Sequence, residues 1–109
     1  MGQIIETAHL PWQPVRPHLA QGVEGKTLIA DGVKVVLTQV EPGGRFVHHR
    51  DDYGHLFYFI SGEGLVTLEE ERLVVGPGVA VRVEAGELHA YKNTGAEDLV
   101  LISINLPPD

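Results

Sequence analysis

The sequence predicts an all-β fold, a single small barrel or sandwich, on three observations. Short β-branched, aromatic or alternating runs recur from residue 26 to residue 106. Glycine- and proline-rich punctuation separates them, with 13 Gly and 7 Pro in 109 residues. No segment holds the 3.6-residue apolar period of a helix.

Taken in order, residues 1–22 contain Pro11, Pro14 and Pro17, which rule out a continuous helix. They are read as an extended N-terminal arm, and residues 23–109 as one barrel domain. The predicted strands are 26–30 (KTLIA), 33–40 (VKVVLTQV), 55–60 (HLFYFI), 65–69 (LVTLE), 72–75 (RLVV), 79–83 (VAVRV), 88–92 (LHAYK) and 98–106 (DLVLISINL). Turns fall at Asp31-Gly32, Pro42-Gly43-Gly44, Gly62-Glu63-Gly64, Gly76-Pro77-Gly78, Glu84-Ala85-Gly86 and Asn93-Thr94-Gly95. Glu69-Glu70-Glu71 reads as the solvated tip of a hairpin. The glycines at 43, 62, 78 and 86 are expected to supply positive-φ turn positions.

Two strands are apolar on both faces. Val33, Val35 and Leu37 alternate with Val36 and Val40, and Leu99 and Leu101 with Val100, Ile102 and Ile104. A strand with one wet face would alternate apolar and polar, so a second layer is expected over them. Either the arm or a second subunit supplies it, and a homodimer is the expectation.

Composition excludes several classes. The net charge of −7 argues against nucleic acid, which needs a basic face. No apolar run approaches a membrane span, and the start lacks a signal-peptide profile. With no Cys there is no disulfide, zinc ribbon or thiol catalysis. A cytoplasmic protein with a small-molecule partner is expected.

Chemistry concentrates in histidine. Of six His, four lie within residues 48–89: His48, His49, His55 and His89. In a period-2 strand His49 and Asp51 share a face and His48 takes the other; a bulge in that strand would let His48 replace His49. His55 shares its face with Phe57 and Phe59, and His89 with Tyr91 and Asn93. A barrel joining these stretches gathers His49, Asp51, His55 and His89 around one point, a donor set for a divalent Fe, Mn, Ni, Cu or Zn ion. Phe57, Phe59 and Tyr91 are the expected pocket walls. His9 and His18 are read as surface residues. Arg45, Arg50 and Arg82 are read as solvated charge rather than a substrate clamp.

The spacing resembles the two motifs of the cupin superfamily. The first, G-x5-H-x-H-x(3,4)-E-x6-G, is matched at residues 43–62 by Gly43, His49, Asp51, His55 and Gly62. The second, G-x5-P-x-G-x2-H-x3-N, is matched at residues 78–93 by Gly78, Glu84, Gly86, His89 and Asn93. The resemblance implies a double-stranded β-helix, the jelly-roll barrel of small single-domain cupins, with one metal ion. Asp51 replaces a motif His and His55 replaces the motif Glu, so three His and one carboxylate are kept with the carboxylate moved. Asp is short, so Asp51 acts directly, through a water, or by orienting an imidazole.

The superfamily spans many reactions, and fold does not choose among them. The first reading is a metal-dependent enzyme of isomerase or dioxygenase type, acting on a sugar derivative or an oxidisable acid, with Tyr91 as proton donor. The alternative is a non-catalytic ligand-binding or sensing module with a structural or vestigial ion.

Overall fold

The computed structural model describes residues 2–107; residue 1 of the expected arm and residues 108 and 109 of the expected barrel lie outside them. Nine strands follow in chain order: β1 Gln13–Pro14, β2 Ala20–Asp31, β3 Val33–His49, β4 Gly54–Ser61, β5 Gly64–Leu68, β6 Glu71–Val75, β7 Ala80–Val83, β8 His89–Asn93 and β9 Leu99–Leu106. Among the described residues the helical content is one 3-10 turn, Thr7–His9. No helix is long and apolar enough to cross a membrane.

The strands form one curled sheet in the order β6-β5-β8-β3-β9-β4-β7, with β2 on β3 and β1 on β2. Every pairing is antiparallel. The 17-residue β3 holds the barrel together. Its first half, Lys34 to Val40, pairs with β9, and its second, Arg45 to His49, pairs with β8.

Here the structure departs from the expectation that Pro42-Gly43-Gly44 ends a strand. The segment is a corner within β3. Pro42 has no N–H to leave unpaired, Gly43 bends at φ +81°, and a Cβ on Gly44 would lie 2.8–2.9 Å from Val40, the Glu41 carbonyl and the Gly22 carbonyl. Strand β2 turns beside it at Gly22, φ +67°, so both strands pass from one sheet to the other. The arm is paired as well as extended: Gln13–Pro14 pair with Gly25 and Glu24, and Ala20 and Gln21 with Phe46 and Arg45.

Register stacks the barrel interior in layers. Lys34, Asn105, His55 and Val83 form the outermost row; Val36, Ser103, Phe57 and Val81 form the next; Thr38, Leu101 and Phe59 the third; Val40 and Leu99 the fourth. Polarity falls with depth. Phe59, Val40, Leu99, Leu101, Val66 and Val75 make the closed floor, each at most 2% exposed, while in the first row Lys34 is exposed and Asn105 half-buried.

All four motif glycines, at 43, 62, 78 and 86, have φ between +81° and +87°. Two of them differ in a way that stability measurements resolve. A Cβ at Gly43 meets nothing within 4 Å, whereas at Gly62 it would lie 2.5 Å from the Asp98 carbonyl oxygen and 2.8 Å from Leu99 Cα. Gly43→Ala is expected to cost about 1 kcal/mol of left-handed strain alone. Gly62→Ala is expected to cost about 3 kcal/mol, because backbone must also move. Urea unfolding of the two variants checks the order; equal midpoints would contradict it.

Candidate metal centre

The site is assembled by two loops that hydrogen-bond to each other. The Gly86 amide donates to the Asp51 carbonyl at 2.8 Å, and Arg50 Nη1 donates to the Gly86 carbonyl at 2.7 Å. The turn before His89 is closed by the Glu84 amide donating to Glu87 Oε1 at 2.7 Å. A proline at 84, as in the resembled motif, would lack that N–H.

A bulge decides which histidine enters. Phe46 pairs with Tyr91 and His49 with His89, three residues against two. Strict alternation from the buried Phe46 would turn His48 inward. The extra residue reverses this: His49 faces the barrel, its ring 5.1 Å from Phe46, while His48 is exposed on the outer groove with Arg45 and Arg72.

Three imidazoles converge on one carboxylate oxygen. Asp51 Oδ2 lies 2.9 Å from His55 Nε2, 3.2 Å from His49 Nε2 and 3.7 Å from His89 Nε2. His49, Asp51 and His89 offer ligand atoms within 4.8 Å of one another, a group that can hold a metal ion. Each ring is tied at its other nitrogen: His49 Nδ1 to the Val47 carbonyl at 2.7 Å, His89 Nδ1 to the Glu87 carbonyl at 2.9 Å, and His55 Nδ1 to Asn105 Oδ1 at 3.1 Å. The Val47 and Glu87 carbonyls only accept, so Nδ1 of His49 and of His89 carries a hydrogen, and a neutral ring then presents a lone pair at Nε2. His55 has an oxygen at both nitrogens, Asn105 Oδ1 and Asp51 Oδ2, and bonds Asp51 through Nε2 at 2.9 Å. His49, His89 and Asp51 therefore face one point, with His55 bonded to Asp51 at its edge. That donor set fits a divalent cation, and the Nδ1 ties are the supports that metal-binding histidines have.

Electrostatics favour the neutral ring at His55 and at His89. Burial lowers the pKa of His55, outweighing the Asp51 contact, and burial likewise lowers that of His89. Burial alone would raise the Asp51 pKa, but its bonds to His55 and Arg16 and the charge of Arg16 hold the carboxyl below its usual value.

Arg16 is a residue that sequence reasoning missed. It reaches the site from the arm at φ +40°. Its Nη1 lies 3.0 Å from Asp51 Oδ1, 3.1 Å from Oδ2 and 3.4 Å from the Tyr53 hydroxyl. Nothing local in the sequence links residues 16 and 51. Ser103 and Asn105 were also missed, yet they were legible: they continue the inward face of Leu99 and Leu101 at period two.

Beside the histidines lies a cavity of about 110 Å³, walled by Val15, Val36, Phe46, Phe57 and Tyr91 and edged by Arg16, Lys34, Tyr53, Ser103 and Asn105. Phe57 and Tyr91 line it. Phe59 lies a layer deeper, fully buried in the floor, and Phe46 takes its place as a wall. His9 and His18 are exposed, as are Arg45 and Arg82, and Arg50 pairs with Glu69 at 3.2 Å.

Comparison with known proteins agrees with this fold. Residues 36–105 match the Cupin_2 family, described as Cupin domain. The fold is similar to a predicted oxalate decarboxylase of Thermotoga maritima (TM-score 0.87, 18% identity, covering 95% of this chain and 98% of that one). It is also similar to the polyketide cyclase RemF of Streptomyces resistomycificus (TM-score 0.87, 21% identity, 96% and 79%) and to KdgF of Halomonas sp. (TM-score 0.83, 21% identity, 100% and 97%). A search of curated proteins finds no relative of matching sequence.

The lowered histidine pKa values set a sign for the pH dependence. Near pH 6.5 the unfolded chain takes up protons on His55 and His89 before the folded protein does. Stability of the metal-free protein is therefore full above about pH 6.5 and declines as pH falls below it. Urea midpoints between pH 7.5 and 5.0 check this, and the decline should be shallower in His55→Gln and His89→Gln. A wild-type midpoint that rises on acidification would reverse the assignment.

Proposed function

The chain belongs to the cupin family, and on that premise we propose that His49, Asp51, His55 and His89 hold one divalent transition-metal ion in a small enzyme acting on a small polar molecule, a sugar derivative or an oxidisable acid. The observation that carries this reading is the convergence of three imidazole Nε2 atoms on Asp51 Oδ2 with every Nδ1 already committed. The bound ion supplies Lewis acidity toward a carbonyl, or a site for O2, which matches isomerase or dioxygenase chemistry.

The protein's own groups divide the remaining work. Val47, Glu87 and Asn105 fix the rings, and Phe46, Phe57 and Tyr91 exclude water from the reacting face. Burial pushes the Tyr91 phenol up, so it stays protonated but releases its proton less readily, and its proposed role as proton donor rests on its place in the cavity wall. Arg16 competes for Asp51, so Asp51 is the weakest of the four ligands or an indirect one. The cavity beside the histidines supports a substrate site over a closed structural one.

Stability with and without metal tests the ligand set. At ~100 times its dissociation constant an ion bound to the folded state adds about 2.7 kcal/mol. His55→Ala and His89→Ala are expected to abolish the metal-induced melting shift, Asp51→Ala to reduce it, and His48→Ala to leave it. Wild-type shifts in both His55→Ala and His89→Ala would place the ion elsewhere.

We also propose a homodimer through the outer face of β2, β3, β9 and β4, in a cytoplasmic setting suggested by the absence of cysteine. Register lines up Ile29, Val35, Ile104 and Leu56 in one row and Leu37, Ile102 and Tyr58 in the next. Ile29, Tyr58 and Ile60 remain 44–47% exposed. The arm covers this face at Lys26, whose Nζ bonds the Thr7 carbonyl at 2.8 Å and sits 4.5 Å from the Trp12 ring centroid. The apolar patch beyond it is of the kind that a two-fold interface buries. Light scattering at micromolar concentration should report a dimer, and Ile102→Glu a monomer. A monomeric wild type would refute it.

A further inference from the structure

The interior of the barrel mouth carries the opposite charge to the molecule. Net charge over the chain is −7, yet two of its cations, Arg16 and Lys34, edge the cavity and a single carboxylate, Asp51, faces them. Lys34 lies in the outermost interior row, directly opposite Asn105, which in turn is opposite His55. It makes no ion pair among the described residues, and its four-carbon stem lets the ammonium swing over the mouth. Every contact Arg16 makes with Asp51 and Tyr53 uses Nη1, which leaves the donors of Nε and Nη2 for another acceptor.

We infer that the cavity binds a small carboxylic acid with a hydroxyl or carbonyl oxygen next to its carboxylate, and that Lys34 and Arg16 hold the carboxylate. Three features narrow the anion to this class. The cavity is small, about 110 Å³. Apart from Val15, Arg16 and Tyr53 it is bounded by strands whose amides are spent in the ladder, and among the described residues no helix N-terminus or glycine-rich loop lines it to cradle a phosphate. Its apolar walls, Val36 and Phe57 among them, suit a short hydrocarbon stem, while the Ser103 hydroxyl in the same row suits a second oxygen. The inference rests on the metal reading above for that second oxygen, which would face the histidines; selection by charge stands without the ion.

Glycolate and glycolamide test this directly, since they share shape and hydroxyl and differ in charge. Binding of each to the full chain is measured by calorimetry, in zinc-loaded and in chelator-treated protein, alongside the zinc-induced melting shift. Wild type is expected to bind glycolate at least about tenfold more tightly than glycolamide, the scale of a charge-assisted hydrogen bond. Lys34→Gln should lose about that factor for glycolate alone, with the zinc shift intact, and Lys34→Arg should retain it. Arg16→Gln should lose it as well. A zinc shift without preference for the acid, a preference unchanged in Lys34→Gln and Arg16→Gln, or no saturable glycolate binding overturns the inference. Preference for the acid without any zinc shift would support it and refute the metal reading instead.

Discussion

The barrel depends on β3 bending without leaving the sheet. A strand that stopped at Pro42 would leave β9 and β8 with no common partner, and the curled sheet would open into two separate layers. Because the chain turns at Gly43 and Gly44 and keeps pairing, the half carrying Lys34, Val36 and Thr38 and the half carrying Phe46 and His49 face the same interior. The turn is tightest at Gly44, where a Cβ would press on the Glu41 and Gly22 carbonyls. The bulge four residues later is the second consequence of the same strand changing partners. It spends one residue, and by doing so exchanges His48 for His49 at the interior.

The metal centre then follows from satisfied hydrogen bonds. Each histidine reaches the centre from a different strand end or loop, and each is fixed by an oxygen of the scaffold before any ion is considered. What remains pointing inward is the Asp51 carboxylate with the three Nε2 atoms around it, a concentration of negative charge and ring nitrogens that positive charge stabilises. In the protein alone Arg16 supplies part of it. The arm is therefore more than a cover for apolar strands: it crosses the edge of β2, lays Trp12 against Lys26 outside, and sends Val15 and Arg16 into the mouth.

The same sheet presents two unlike surfaces because strands are read two residues at a time. On β9, Leu99 and Leu101 go to the floor and Ser103 and Asn105 to the mouth, while Val100, Ile102 and Ile104 make the outer patch. One strand thus serves core, site and outer face, which is why it looks apolar throughout at first reading. The gradient from dry floor to polar mouth arises along the strand, and the contrast between faces arises across it.

The sequence by itself determined strands β4 to β9 to within a residue at each end, the positive-φ glycines and the cupin motifs, because these depend on local alternation, turn chemistry and fixed spacing. It missed β1, began β2 six residues late and ended β3 nine residues early. It also separated His49 and Asp51 from the surface histidines His9 and His18. Tertiary structure alone decided that Pro42-Gly43-Gly44 is a corner, that the bulge favours His49, that Phe59 belongs to the floor, and that Arg16 meets Asp51 from 35 residues away. Those outcomes depend on which strand lies opposite, and on contacts between segments remote in the chain. Period-two alternation fixes a face within a strand, but only the neighbouring strand fixes where the alternation slips.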